Sequence, residues 1–267
     1  MSAGETSPTP PGSLPSDLAR LVLRPQDLFA ELPRVNHSGA ALVVLLLLNV
    51  AYGLGLLSTG VIDYEIDSQT QREIAKQVRL LPGDEDSDQL NRTVETIEKT
   101  ATFNRLMSRV TLLVGGPVGL LVGVATVAGL LYVAVALRGE AKADFRVLAG
   151  VVIFATFALV PGMLLRLYLV SQLGTTRVEI SLAALTPPAQ TGLGLYLLLR
   201  RLDPFHLWYW ALVALGVSRS GQLSVRRAVV VVTLLAILCA LLQMGGDLMI
   251  LTDLPEKMRS PEGDADL

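Results

Sequence analysis

Cysteine occurs once, at Cys239, and histidine twice, at His37 and His206. A lone thiol excludes an intrachain disulfide framework and a thiolate-held metal site, and two histidines so far apart suggest no metal cluster. Charge is scarce as well, since 17% of residues are Asp, Glu, Lys or Arg, against about a quarter in soluble domains. The net charge of -2 supplies no basic field for nucleic acid. No nucleophile elbow, P-loop or dinucleotide fingerprint is present, and Gly192-x-Gly194 lacks the strand context that would give it meaning. The expectation is therefore no enzyme, no cofactor and no metal.

Apolar sequence is what the chain has in abundance: 51% of residues are apolar and the mean hydropathy is +0.52. Uncharged runs of roughly twenty residues recur, the length that crosses a hydrocarbon core. The pattern predicts an all-α integral membrane bundle of five transmembrane helices with interfacial amphipathic helices. Spans are expected at 38–62, 110–137, 147–173, 203–218 and 228–246, within a membrane domain at 38–248. Pro117 and Pro161 predict kinks in the second and third. The fourth is short, because Pro204 to Ser218 falls below the usual roughly 17 to 25 residues. Asp203-Pro204 has the N-cap and first-turn chemistry of a helix start, and Phe205, Trp208, Tyr209 and Trp210 suit an interfacial belt. Upstream, 180–199 is uncharged but broken at Thr186-Pro187-Pro188 and Gln190-Thr191-Gly192. It reads as two short interfacial or re-entrant pieces, with a sixth span ending at Arg200 and Arg201 as the alternative.

The flanks have their own logic. Residues 1–16, rich in Ser, Thr, Pro and Gly, predict a disordered tail, and the late first apolar run argues against a signal peptide. Within 17–37, Leu18, Leu21, Val22, Leu28 and Phe29 form a helical stripe interrupted at Pro25, with Arg20 and Arg24 beside it. This segment either lies in the membrane interface or packs on the spans. In the loop 63–109, Ser68 with Gln71, or Thr70 with Glu73, are candidate capping boxes ahead of Ile74, Val78 and Leu81, and Pro82-Gly83-Asp84 predicts a break. A second amphipathic run, through Leu90, Val94, Ile97 and Ala101, leads into the second span and needs the other helix or the membrane surface as its partner. Residues 249–267 form a polar tail.

Orientation follows from Lys and Arg. With the amino terminus inside, the inner segments carry Arg20, Arg24, Arg34, Arg138, Lys142, Arg146, Arg219, Arg226 and Arg227, at about twice the cation density of the outer segments. This predicts a cytoplasmic amino terminus and an extracytoplasmic carboxyl terminus, although Arg105, Arg109, Arg200 and Arg201 sit near outer ends.

Gly115, Gly119 and Gly123 repeat every four residues, a face for close helix packing whose partner is either another span or a second copy of the chain. Asn49 and Thr126 offer interhelical hydrogen bonds. Arg166 is an intramembrane cation, costing about 2.5 to 3.5 kcal/mol at a span centre. It is either a site or a side chain that snorkels to the headgroups, about 10 Å away along the helix. Asp84, Glu85, Asp86 and Asp88 lack the glycine and final glutamate of a calcium loop and read as a solvated turn. His206 beside Trp208 reads as interfacial.

The stretch Asp203-Pro204-Phe205-His206-Leu207-Trp208, continuing to Leu212 and Gly216, resembles the fourth span of the Yip family, the Ypt/Rab-interacting membrane proteins. Arg24-Pro25 followed by Phe29 resembles the family's amino-terminal Pro and Phe element, and the resemblance covers about residues 18–245. It implies five spans with a cytoplasmic amino terminus. For eukaryotic members it implies contacts with prenylated small GTPases; here the short cytosolic part carries over topology and not trafficking. The long charged outer loop departs from the shortest members. The Leu, Ala, Val and Arg bias suits a bacterial inner-membrane protein. The leading expectation is a scaffold or adaptor whose partners are the lipid bilayer, membrane or cytosolic proteins, or a second copy. The rival is a transporter or lipid-handling protein using Arg166 and the broken 180–199 segment.

Overall fold

The computed structural model describes residues 13–34, 37–80, 87–137, 143–186 and 193–252. The expected breaks at Pro82-Gly83-Asp84, Pro187-Pro188 and Gln190-Thr191-Gly192 lie outside the described residues, as do Asp84, Glu85 and Asp86, the cations Arg138 and Lys142, and most of both tails. Among the described residues there is no strand, and the helices are α1 (Leu14–Leu23), α2 (Pro25–Glu31), α3 (Ser38–Ser58), α4 (Val61–Leu80), α5 (Ser87–Val110), α6 (Gly116–Ala136), α7 (Phe145–Thr156), α8 (Val160–Leu173), α9 (Leu193–Arg201), α10 (Pro204–Arg219) and α11 (Val225–Thr252). Helix therefore begins at Leu14, inside the stretch read as a tail.

Among the described residues four helical stretches have the length and composition to cross a membrane: Ser38–Ser58, Leu90–Ala136, Phe145–Leu173 and Val225–Gly245. The first ends earlier than the expected 62. The break is Gly60 at φ +69°, a backbone conformation that glycine adopts without steric cost. Helix α4 restarts at once from Val61, so Ser68 and Thr70 lie inside it and cap nothing. The Thr70 hydroxyl instead donates to the Ile66 carbonyl at 2.7 Å. The stretch 180–199 holds a short 3₁₀ turn, Leu182–Leu185, and then α9 of nine residues. Neither has the length of a span.

Both expected kinks have a definite form. Ahead of Pro117, residues Thr111–Gly115 form a π turn in which the Gly116 N–H donates to the Thr111 carbonyl. The wider turn relieves the clash between the proline ring and the carbonyl four residues back. Ahead of Pro161 the adjustment goes the other way, to a 3₁₀ turn at Phe157–Leu159 joining α7 to α8.

The chain forms two compact units, residues 1–44, 123–159 and 179–267 in the first and 45–122 and 160–178 in the second. In the first, α10 lies between α2, α7 and α11. Helix α7 is buried nearly all round, from Val147 through Thr156 with Ala149 less so, while α11 keeps a broad apolar face exposed. In the second, α4 and α5 pair antiparallel, with Asp63 on Arg109 at 3.3 Å and Asp67 on Arg105. The apolar stripe of α5 thus meets the other helix, Ala101 being buried. A small core of Leu56, Val61 and Val170 sits where α3, α4 and α8 meet.

Candidate functional site

The amino-terminal helices and α10 form one assembly in the first unit. Pro25 occupies the first turn of α2, where its missing N–H costs nothing and its fixed φ suits the helix. Leu28 and Phe29 follow at positions that face inward, 1% and 0% exposed. Their seat is Gly216 of α10. A Cβ at 216 would overlap Val151 Cγ1 of α7 and stand 3.1 Å from Phe29 Cδ1, so only a glycine lets the three elements close. A second glycine does the same on α7: a Cβ at Gly150 would stand 2.7 Å from Leu32 Cδ2 and 2.8 Å from Ser38 Oγ. Removing a side chain such as Phe29 or Leu28 from water is worth about 1.5 to 3 kcal/mol.

Polar contacts fix the register. Arg219 donates to Gln26 Oε1 at 2.8 Å, and Arg20 pairs with Glu31 at 2.8 Å. Asp17 of α1, 1% exposed, pairs with His37 Nδ1 at 2.9 Å just before α3. Sequence reading missed this pair, because Asp17 looks like one more residue on the polar face of a short helix. At the other end of α10, Asp203 accepts from the Phe205 N–H at 2.8 Å and its second oxygen contacts His206 Nδ1 at 3.2 Å. His206 thus belongs to the helix cap. Leu212 is buried, Phe205 half-buried and Trp208 exposed at the side of the helix. Tyr209 and Trp210 stack edge to face with centroids 4.9 Å apart.

Comparison with known families decides the identity of this arrangement. The family model for the Yip1 domain matches residues 19–246. The chain belongs to the Yip1 domain family. It is accordingly a multi-pass integral membrane protein in contact with the lipid bilayer, from a family that is generally non-enzymatic. Neither the curated proteins nor the solved structures gave a match. Pro25 and Phe29 on one side, and Leu212 and Gly216 on the other, belong to the two stretches that resemble the Yip family, and the structure brings Phe29 onto Gly216.

The remaining singled-out residues are elsewhere. Arg166 is exposed on α8 in the second unit. Gly119 and Gly123 have open space where a Cβ would stand, and Gly115 faces only Thr111 of its own helix turn. Close helix approach in the second unit falls instead at Gly53, whose Cβ would meet the Leu112 carbonyl oxygen at 2.9 Å, and at Gly116, whose Cβ would meet Asn49 Oδ1 at 2.6 Å. Among the described residues no group of three metal-ligating side chains converges. One further polar knot ties the second unit. The Glu65 carboxylate of α4 accepts from the Thr175 hydroxyl at 2.9 Å and from the Thr176 N–H at 2.8 Å and hydroxyl. Burial pushes the Glu65 carboxyl upward, but the Thr176 and Thr175 hydrogen bonds and the nearby Arg177 charge outweigh it and hold it below its ordinary value.

Proposed function

We propose that this Yip1 domain protein is a non-catalytic membrane scaffold of five crossings, with the α1–α2 module cytoplasmic, the carboxyl terminus extracytoplasmic, and the bacterial inner membrane as its location. The observation that carries the reading is the burial of Phe29 on Gly216, which makes the amino-terminal module a rigid platform fixed to the membrane bundle. Helix α10 has 16 residues, about 24 Å at the helical rise. Its packing against α7 and α11, both parts of long apolar stretches, supports its lying beside them as the short fifth crossing, with local bilayer thinning. The orientation is supported by the higher density of Lys and Arg in the inner segments. The glycines at 119 and 123, which face open space among the described residues, are offered to lipid or to a second copy.

In-membrane cross-linking tests the scaffold. Photo-reactive residues on the exposed side of α1 and α2 should capture discrete protein neighbours, and Phe29→Ala, which frees the module, should abolish the capture. A solute or ion flux in proteoliposomes that Arg166→Gln abolishes would establish the rival transporter reading.

A further inference from the structure

The helical stretch Leu90–Ala136 is longer than a membrane crossing needs. Its uncharged run begins at Val110, and the turns just before it carry Arg105 and Arg109, which are turned to α4 and paired there with Asp67 and Asp63. Phe103 and Met107 stand two residues from those arginines, about half a turn, and so point away from α4. The line they begin runs on through Val110, Val114, Val118 and Val122, and all six side chains are 40 to 58% exposed. Its steps are four, three, four, four and four. Val114 and Val118 are only three apart in winding, because the π turn at Thr111–Gly115 takes one residue more than an α turn. The six therefore form one seam at the 3.5-residue spacing that lets two helices interlock, about 28 Å long at the helical rise.

We propose that this seam is the contact surface for a second copy of the chain, the two rods lying parallel with each seam residue facing its own counterpart. Lipid tails can cover the valines but not the whole line. Phe103 lies about 10 Å beyond Val110 at the helical rise, level with paired charges that belong in water or among headgroups. An exposed apolar stripe in that setting marks a protein contact. Three features of the rod fit a copy of itself. Its partner must also leave the membrane as an unbroken helix, as this stretch does. The partner must bend at the same level, and in a parallel pair the π turn and Pro117 of one copy lie level with those of the other. Finally, Arg105 and Arg109 are the only charged residues from Phe103 to Val122, and both are held on α4, so identical seams meet without like charges. Above the bilayer the pair gains by removing Phe103 and Met107 from water; within it, by close packing. The inference rests on the integral-membrane placement and not on the scaffold reading, since neighbour capture at α1 and α2 does not depend on this seam.

Cysteine cross-linking of the full chain in native membranes tests it, in a background carrying Cys239→Ala. Phe103→Cys, Met107→Cys and Val110→Cys, made singly, should each give on oxidation a species of twice the chain mass. The yield should exceed that of the off-seam control Thr102→Cys about tenfold, because a disulfide forms only where two Cα atoms come within about 7 Å. A second measurement needs no cysteine. Met107→Glu and Met107→Lys, each placing like charges face to face, should shift the purified chain from dimer to monomer in native mass spectrometry, and a mixture of the two, differently tagged, should recover the pair. No linkage at the seam positions, equal linkage at Thr102→Cys, or a dimer that survives both charged variants overturns the seam. A cross-linked product of any other mass overturns the second copy as its occupant.

Discussion

Single residues decide whether the amino-terminal module stays on the bundle. Inside a bilayer, helices gain no hydrophobic advantage by pairing, so close packing carries the association, and a methyl group in the wrong place is felt. Gly216→Val should drive the new side chain into Val151 and Phe29, costing about 1 to 3 kcal/mol as overpacking does. The measurement is a lower melting temperature in detergent together with new protease cleavage near Leu23 and Arg24. Asp203 was legible as a helix cap because capping is settled within three residues of chain. The Asp17–His37 pair was not legible, since it exists only once α1 has turned back on the start of α3. Glu65 gives a pH effect whose sign is fixed. Its folded-state carboxyl ionises below the ordinary 4.5, so the contribution of its Thr175 and Thr176 contacts is present above that value and is lost as pH falls through the lower folded one. Thermal melts should show a stability loss below about pH 4.5 that Glu65→Gln no longer shows; a variant with the full acid response would place the titration elsewhere.

Elements were legible where their signals are local, and illegible where they depend on what lies opposite. Apolar runs bounded by charge gave the four long stretches, because spacing along one helix fixes them. Pro117 and Pro161 were readable as disturbances, yet the chain resolves one with a wider turn and the other with a tighter one. That choice depends on the neighbours each half-helix must reach. The capping boxes at Ser68 and Thr70 failed for the same reason: a cap matters only where a helix starts, and Gly60 moved the start upstream. Two glycines on one rod should therefore behave differently. Gly116→Leu, facing Asn49 at close range, should lower the melting temperature, a cost of about 1 to 3 kcal/mol. Gly119→Leu, with open space around it, should leave the isolated chain's melting temperature unchanged. A matched loss for Gly119→Leu in the isolated chain would mean that the seam packs inside it.

At the scale of the whole molecule the number of crossings is the decisive quantity, because it sets on which sides the termini lie. Four crossings put both termini on one side; α10 as a fifth separates them. With Cys239 replaced by Ala, a single cysteine at position 262 should react with an impermeant thiol reagent from outside intact cells. Reaction only after the inner side is opened would remove α10 from the crossings. The sequence by itself determined that the chain is helical, that it dwells in lipid, and that one helix starts at Asp203-Pro204, since composition, run length and capping act over a few turns of one segment. Only the tertiary structure decided that Phe29 meets Gly216 and that Gly119 and Gly123 face open space among the described residues. Those outcomes turn on which faces of distant helices are brought together, and an apolar helix face carries too little chemical variety to name its partner in advance.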